Sequence, residues 1–357
     1  MIEFFTNPLA VIGALLYDLL RSFLPEWAAT GLLALIGSGV LVGVISVIVM
    51  LLVWLERKII ARMQDRYGPN RVGPFGLLQS VADAVKLLSK EDVIPARVDK
   101  PLFILAPILV LAASLMVWAV IPWSPGVVPA DINVGVLFIL AMGSLPVIGV
   151  IMAGWGSNNK YAMLGGMRSA AQLISYEIPG VLAALVPVML AGTMSLQGIV
   201  DAQGGWWFLF TPWGLIAFIL FVIAGTAETN RTPFDLIEAE SELAAGFHTE
   251  YSGMRFALFF LAEYANVFAV SAIGAVLFLG GWHGPLPFLP SFGPGIVWFL
   301  AKVFVMVFIF MWIRSTLPRL RYDQLMNFAW KRMLPLALLN IGLTAIWISI
   351  ARGVLRV

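Results

Sequence analysis

Between Glu228 and Glu250 the chain carries six carboxylates, Glu228, Asp235, Glu238, Glu240, Glu242 and Glu250, with Arg231 the one cation among them. Glu238 and Glu242 stand four apart, with Asp235 one turn before, so a helix would stack them on one face. Like charges at that spacing oppose each other's ionisation. In a water-filled, partly desolvated site, such groups carry protons near neutral pH. The acids continue into apolar sequence on both sides, through Glu228 and through Glu263, which lies about two turns inside the following segment. Glu177 lies about two turns inside another apolar segment, beside Pro179. A carboxylate within a membrane is expensive and points first to function. Blander readings exist. A solvated acidic face explains Glu238 and Glu242, and an ion pair with Lys160 or Arg168 explains Glu177. The run of acids into the bilayer on both sides favours a proton path.

The elements that must position these groups are membrane helices. The chain has 357 residues, 61% hydrophobic and 12% charged, with mean hydropathy +0.94. That composition is a polytopic membrane protein rather than a soluble core. Eight apolar segments reach the roughly 20 residues a spanning helix needs: 27–54, 102–121, 134–155, 171–191, 207–227, 257–279, 296–313 and 333–351. The expected fold is all-α, with eight transmembrane helices plus amphipathic helices on the cytoplasmic side. Residues 1–26 read as an interfacial N-terminal segment, because Glu3, Asp18 and Arg21 do not suit a secretory signal. Residues 27–357 read as a single bundle with large connections at 55–101, 156–170, 228–256 and 314–332. Lys and Arg fall in these four connections, nine in the first and five in the last, while the other three connections have none. The positive-inside rule places the charged connections in the cytoplasm and both termini outside, in a multi-pass protein of the cytoplasmic (inner) membrane.

The same inventory limits the chemistry. The chain has no cysteine, which excludes a cysteine-ligated iron–sulfur cluster, a disulfide and a thiol nucleophile. His248 and His283 fall on opposite faces, which excludes a bis-histidine haem. No metal site and no nucleotide-binding glycine motif is recognised. If the function is redox chemistry, other chains hold the electron carriers.

In the first connection Lys58, Arg62 and Arg66 fall four apart, and Gly68-Pro69 and Gly73-Pro74 break the helix. Leu77, Leu78, Val81, Val85 and Leu88 then follow a helical period, with Asp83, Lys86 and Lys90 opposite. This is a surface helix against the membrane or a partner, and the basic face also suits lipid headgroups. Gly39 and Gly43 are spaced for close helix contact. Lys302 either snorkels outward or pairs with a buried acid.

Four blocks, ERKIIARMQDRYGPNRVGPFGLLQSVADAVKLL, AQLISYEIPG, AETNRTPFDLIEAESELAAGFHTEYSGMRFALFFLAEYAN and STLPRLRYDQLMNFAWK, resemble the quinone-chamber membrane subunit of bacterial respiratory complex I, the proton-pumping NADH:quinone oxidoreductase. The resemblance covers roughly residues 50–335. It implies a subunit without its own redox centre, with quinone as substrate and with FMN and iron–sulfur clusters in partner subunits. It implies that Glu177, Glu228, Glu242 and Glu263 couple quinone reduction to proton movement. Arg57, Arg62, Arg231, Phe234, Glu240 and Arg314 would line the quinone tunnel. The implied partners are hydrophilic quinone-module subunits on the cytoplasmic face, antiporter-like and small membrane subunits at the sides, and lipids, with no nucleic acid. Two alternatives stay open: the equivalent subunit of a membrane-bound hydrogenase or another non-NADH relative, and a stand-alone ion transporter. A transporter is expected to show two similar halves, and none is visible.

Overall fold

The computed structural model describes residues 8–235, 245–284 and 294–354. Glu238, Glu240 and Glu242 lie outside these described residues. Among them the fold is helical, with one isolated bridge between Ser124 and Val127. In chain order the helices are α1 (Pro8–Arg21), α2 (Glu26–Met63), α3 (Gln79–Ser89), α4 (Lys100–Met116), α5 (Gly135–Gly156) and α6 (Lys160–Ala191). They continue as α7 (Leu196–Ala202), α8 (Pro212–Glu228), α9 (Gly253–Phe278), α10 (Gly295–Thr316), α11 (Tyr322–Phe328) and α12 (Leu334–Val354). Among the described residues seven helical stretches are long and apolar enough to cross a membrane, and α8 is a shorter apolar helix beside them. The chain is therefore an all-α, multi-pass membrane protein.

Helix ends depart from the ends of the apolar runs. α6 starts at Lys160, where Asn159 caps it by accepting from the Tyr161 N–H at 2.9 Å. Glu177 therefore stands nearly five turns into α6 rather than two. At the last span the helix begins at Tyr322 and runs through a π turn (Ala329–Met333) into α12. Polar residues at a membrane surface are as helical as apolar ones, so hydropathy marks the buried length and not the helix.

The chain buries its centre around α9, the most enclosed of the long helices. Trp118, Phe268, Phe278 and Phe299 are fully buried there, and Trp118 stacks on Phe268 at 4.5 Å. α5 and α6 approach through small residues. A Cβ on Gly154 would lie 2.8 Å from the Ala162 carbonyl, the close contact that membrane helices use in place of a hydrophobic driving force. Gly39 and Gly43 behave otherwise, with nothing within 4 Å of the place a Cβ would take. Their spacing does not mediate a contact within this chain. Pro179 in α6 has no N–H, so the Ser175 carbonyl loses its helical donor two residues from Glu177.

After α2 the chain turns sharply. Asp65 (φ 52), Phe75 (φ 54) and Gly76 (φ 76) are left-handed. A Cβ at Gly76 would fall 2.2 Å from the Pro69 carbonyl oxygen, so only glycine fits. Arg66 lies beyond the end of α2 and donates instead to Gln64 Oε1 at 2.7 Å, so it does not share a helical face with Lys58 and Arg62. α3 follows with Ser80 and Asp83 toward the bundle, while Lys86 and Lys90 stay exposed. Asp83 accepts from Arg57 at 2.7 Å, Ser80 is buried, and Val81, Val85 and Leu88 are exposed.

Candidate functional site

The segment after α8 is held from several directions. The Asn230 backbone is left-handed (φ 51), and Phe234 N–H donates to the Arg231 carbonyl at 2.8 Å. From α6, the buried Gln172 amide donates to the Ala227 carbonyl at 3.0 Å and the Phe234 carbonyl at 2.8 Å. Leu320 N–H donates to the Pro233 carbonyl at 3.0 Å, and Arg319 pairs with Asp235 at 3.0 Å. Phe234 is buried against Tyr176, with ring centroids 5.0 Å apart.

This scaffold aims Arg231 into the bundle, where 3% of its side chain is exposed. Its Nη1 donates to Glu56 Oε2 at 2.8 Å. Its Nε lies 3.0 Å from Glu263 Oε1, an ion-pair distance without hydrogen-bond alignment. The guanidinium sits 4.2 Å over the Tyr264 ring, and the Tyr264 hydroxyl donates to Glu56 Oε1 at 3.1 Å. Arg314 donates to the same Glu56 oxygen. The cluster thus holds two carboxylates against two guanidinium groups, which is how buried charge is tolerated. Burial alone would lower the Arg231 pKa. The Glu263 and Glu56 carboxylates reverse that and hold it above the ordinary arginine value, so Arg231 stays charged.

Beside this cluster lies a partly open cavity of about 130 Å³ among α4, α5, α6, α8 and α9. Glu177, Glu228 and Glu263 all line it, together with Asn230, His248 and Asn266. Its other end is apolar, walled by Val117, Val136, Leu196 and Leu277. Gly180 leaves room for the acid beside it, since a Cβ there would lie 3.1 Å from Glu228 Oε1. Glu177 does not reach the cations weighed as its partners. Arg168 is nine residues away, about 13 Å along the same helix, and sits over the Tyr322 ring at 5.9 Å. Among the described residues neither Glu177 nor Glu228 forms an ion pair. Glu263 belongs to both places, touching Arg231 and facing the cavity.

A family model described as NADH dehydrogenase matches residues 36–345. The chain belongs to the NADH dehydrogenase family. It is 54% identical over 312 residues to a protein of Dehalococcoides mccartyi (strain CBDB1) named as a subunit of NADH-quinone oxidoreductase, covering 87% of this chain and 86% of that one. The same name is carried by a Geobacillus kaustophilus protein, 54% identical over 90% of this chain and 96% of its own length. A Brevibacillus brevis protein, also so named, is 52% identical over 92% of this chain and 97% of its own length.

In this member of the NADH dehydrogenase family the sequence-selected residues divide. Glu177, Glu228 and Glu263 share the cavity, while Arg231 and Arg314 grip Glu56 and Phe234 packs on Tyr176. Arg57 is elsewhere, half-exposed and paired with Asp83. Arg62 lines a shallow surface groove with Lys58, Met63 and Phe308. Among the described residues no group of three or more His, Asp or Glu is arranged to hold a metal. Lys302 takes a third course: its Nζ donates to the Gly281 carbonyl at 3.0 Å and the His283 carbonyl at 2.7 Å, over the Trp207 ring. Sequence reading missed Glu56, the hub of the ion cluster. Its one signal is a carboxylate at the end of the longest apolar run, masked by Arg57 and Lys58 beside it.

Proposed function

We propose that the chain is the membrane subunit of a proton-translocating NADH:quinone oxidoreductase, lying in the cytoplasmic membrane with its charged connections inside and both termini outside. In this reading it is a translocase subunit that carries no electrons, and FMN and iron–sulfur clusters belong to partner subunits. The hydrophilic quinone-module subunits dock on the charged face, and antiporter-like and small membrane subunits lie at the sides.

Quinone approaches along the side of the bundle marked by Arg231, Phe234, Arg314 and Glu56, and the sequence adds Glu240 to the residues that meet it. Arg62 lines the approach, and Arg57 steadies α3 through Asp83. Reduction of a quinone to a quinol consumes two electrons and two protons, so charge beside it must change. The acids Glu177, Glu228, Glu263 and Glu242 answer that change and pass it along the membrane.

One observation supports this above the others: Glu263 is shared between the Arg231 ion cluster and the cavity holding Glu177 and Glu228. An acid in both places connects a change of charge at the cluster to the protonation of its neighbours. The test is Glu228→Gln and Glu263→Gln in the assembled complex. Both should lower proton-coupled NADH:quinone turnover by tenfold or more while assembly persists. Full coupled turnover in either assembled variant refutes the proton role.

A further inference from the structure

His248 and Asn230 come from opposite ends of the α8–α9 connection and both line the cavity. Each presents a buried polar atom, His248 Nδ1 and Asn230 Oδ1, that no group among the described residues satisfies. Buried polar atoms are almost always satisfied, and where protein fails to do so an ordered water commonly does. The cavity is roomy enough for water, and its polar lining is concentrated at this end.

The position of His248 is closely specified. It ends a short turn, Gly246–His248, whose first residue is left-handed (φ 55). That turn rests on Gly165 of α6, where a Cβ would lie 2.7 Å from the Gly246 Cα. Phe256 and Phe259 pack edge-on against the imidazole. Beyond it, Asn159 donates to Glu250 at 2.6 Å, and Tyr251 stacks on Phe103 at 4.1 Å. Two glycines and an aromatic cage thus hold one imidazole at the cavity wall.

We infer that His248 Nδ1 and Asn230 Oδ1 bind water at the polar end of the cavity, forming the mouth through which protons reach Glu228 and Glu263. This rests on the proton role proposed for those acids. His248 is a positioning residue here. Burial lowers its pKa to about 3, so the ring stays neutral and holds water without taking the charge. The proton crosses as hydronium and is taken by a carboxylate, leaving a water and a neutral acid.

The experiment uses the assembled complex in vesicles. His248→Gln keeps a neutral hydrogen-bonding group, and His248→Phe removes it. The Gln variant should pump protons within about twofold of the parent. The Phe variant should fall at least fivefold, with a larger solvent deuterium isotope effect. A high-resolution map of the parent should show water within hydrogen-bond distance of both atoms. Parent-like pumping in His248→Phe overturns the inference. So does equal loss in the Gln variant, which would mark a structural role. Glu228→Gln measured in parallel separates the two readings. If it is impaired and His248→Phe is not, only the water mouth falls; if Glu228→Gln pumps normally, the proton role itself falls.

Discussion

Arg231 and Glu56 stand 175 positions apart in the chain and meet at 2.8 Å with little exposure of either side chain. The pair joins the end of the longest helix to the loop after α8. Removing Arg231 leaves the two carboxylates of the cluster facing Arg314, an imbalance of buried charge that generally costs about 3–5 kcal/mol, and neutralising Glu56 as well restores the balance. Arg231→Leu should therefore lower the melting temperature of the purified complex more than Arg231→Leu combined with Glu56→Gln. Equal losses would mean that the two groups do not support each other.

Gly180 tests how much the room beside Glu228 matters. A methyl there would press on the Ala224 Cβ and on Glu228 Oε1, both at 3.1 Å. The acid side chain can swing away, whereas the helix contact has little slack. Gly180→Ala should leave assembly intact and reduce proton-coupled turnover several-fold. Unchanged coupling would show that the carboxylate has other equivalent positions.

Gln172 supplies two hydrogen bonds to the backbone around Arg231. Each is worth about 0.5–1.5 kcal/mol net, and more where a buried carbonyl is then left unpaired. Gln172→Leu should loosen the loop that carries Arg231 and Phe234. The expected signature is a raised KM for quinone with normal subunit content. A normal quinone titration would separate loop order from quinone use.

His248 gives a pH dependence with a definite sign. Its pKa is lowered to about 3 in the fold, against about 6.5 in an unfolded chain. Between these values the unfolded state binds the extra proton, so stability falls as pH falls. The melting temperature of the complex should drop between pH 7 and pH 5, and His248→Gln should flatten that drop. A parallel pH profile in the variant would remove His248 as the cause.

Much of this architecture is legible in the sequence because hydrocarbon thickness sets a length that apolar runs must meet. Helix ends are less legible. Lys160–Arg168 and Tyr322–Arg332 are polar enough to read as connections, yet their backbones are helical or, at Ala329–Met333, π-helical. Glu177, Glu228 and Glu263 stand out because carboxylates are conspicuous in apolar surroundings. Glu56 does not, because cations follow it directly and make it look like interface charge. Arg57 and Arg62 share that stretch of helix but point elsewhere, which spacing alone does not reveal. His248 and Asn230 give no local signal, since their shared cavity exists only after α6, α8 and α9 have packed.

The dimensions of α2 carry a last consequence. Its 38 residues span about 57 Å, against a hydrocarbon core of about 30 Å. The first half of the helix is largely exposed, and it is anchored in the bundle through Ile45, Val49, Leu52 and Glu56 in its second half. A rod that long adjusts to its surroundings by leaning, and its far end holds the carboxylate that Arg231 and Arg314 grip. Lipid acyl length should thus act as a mechanical input to the enzyme: turnover in short-chain and long-chain bilayers should differ, and Glu56→Gln should blunt the difference.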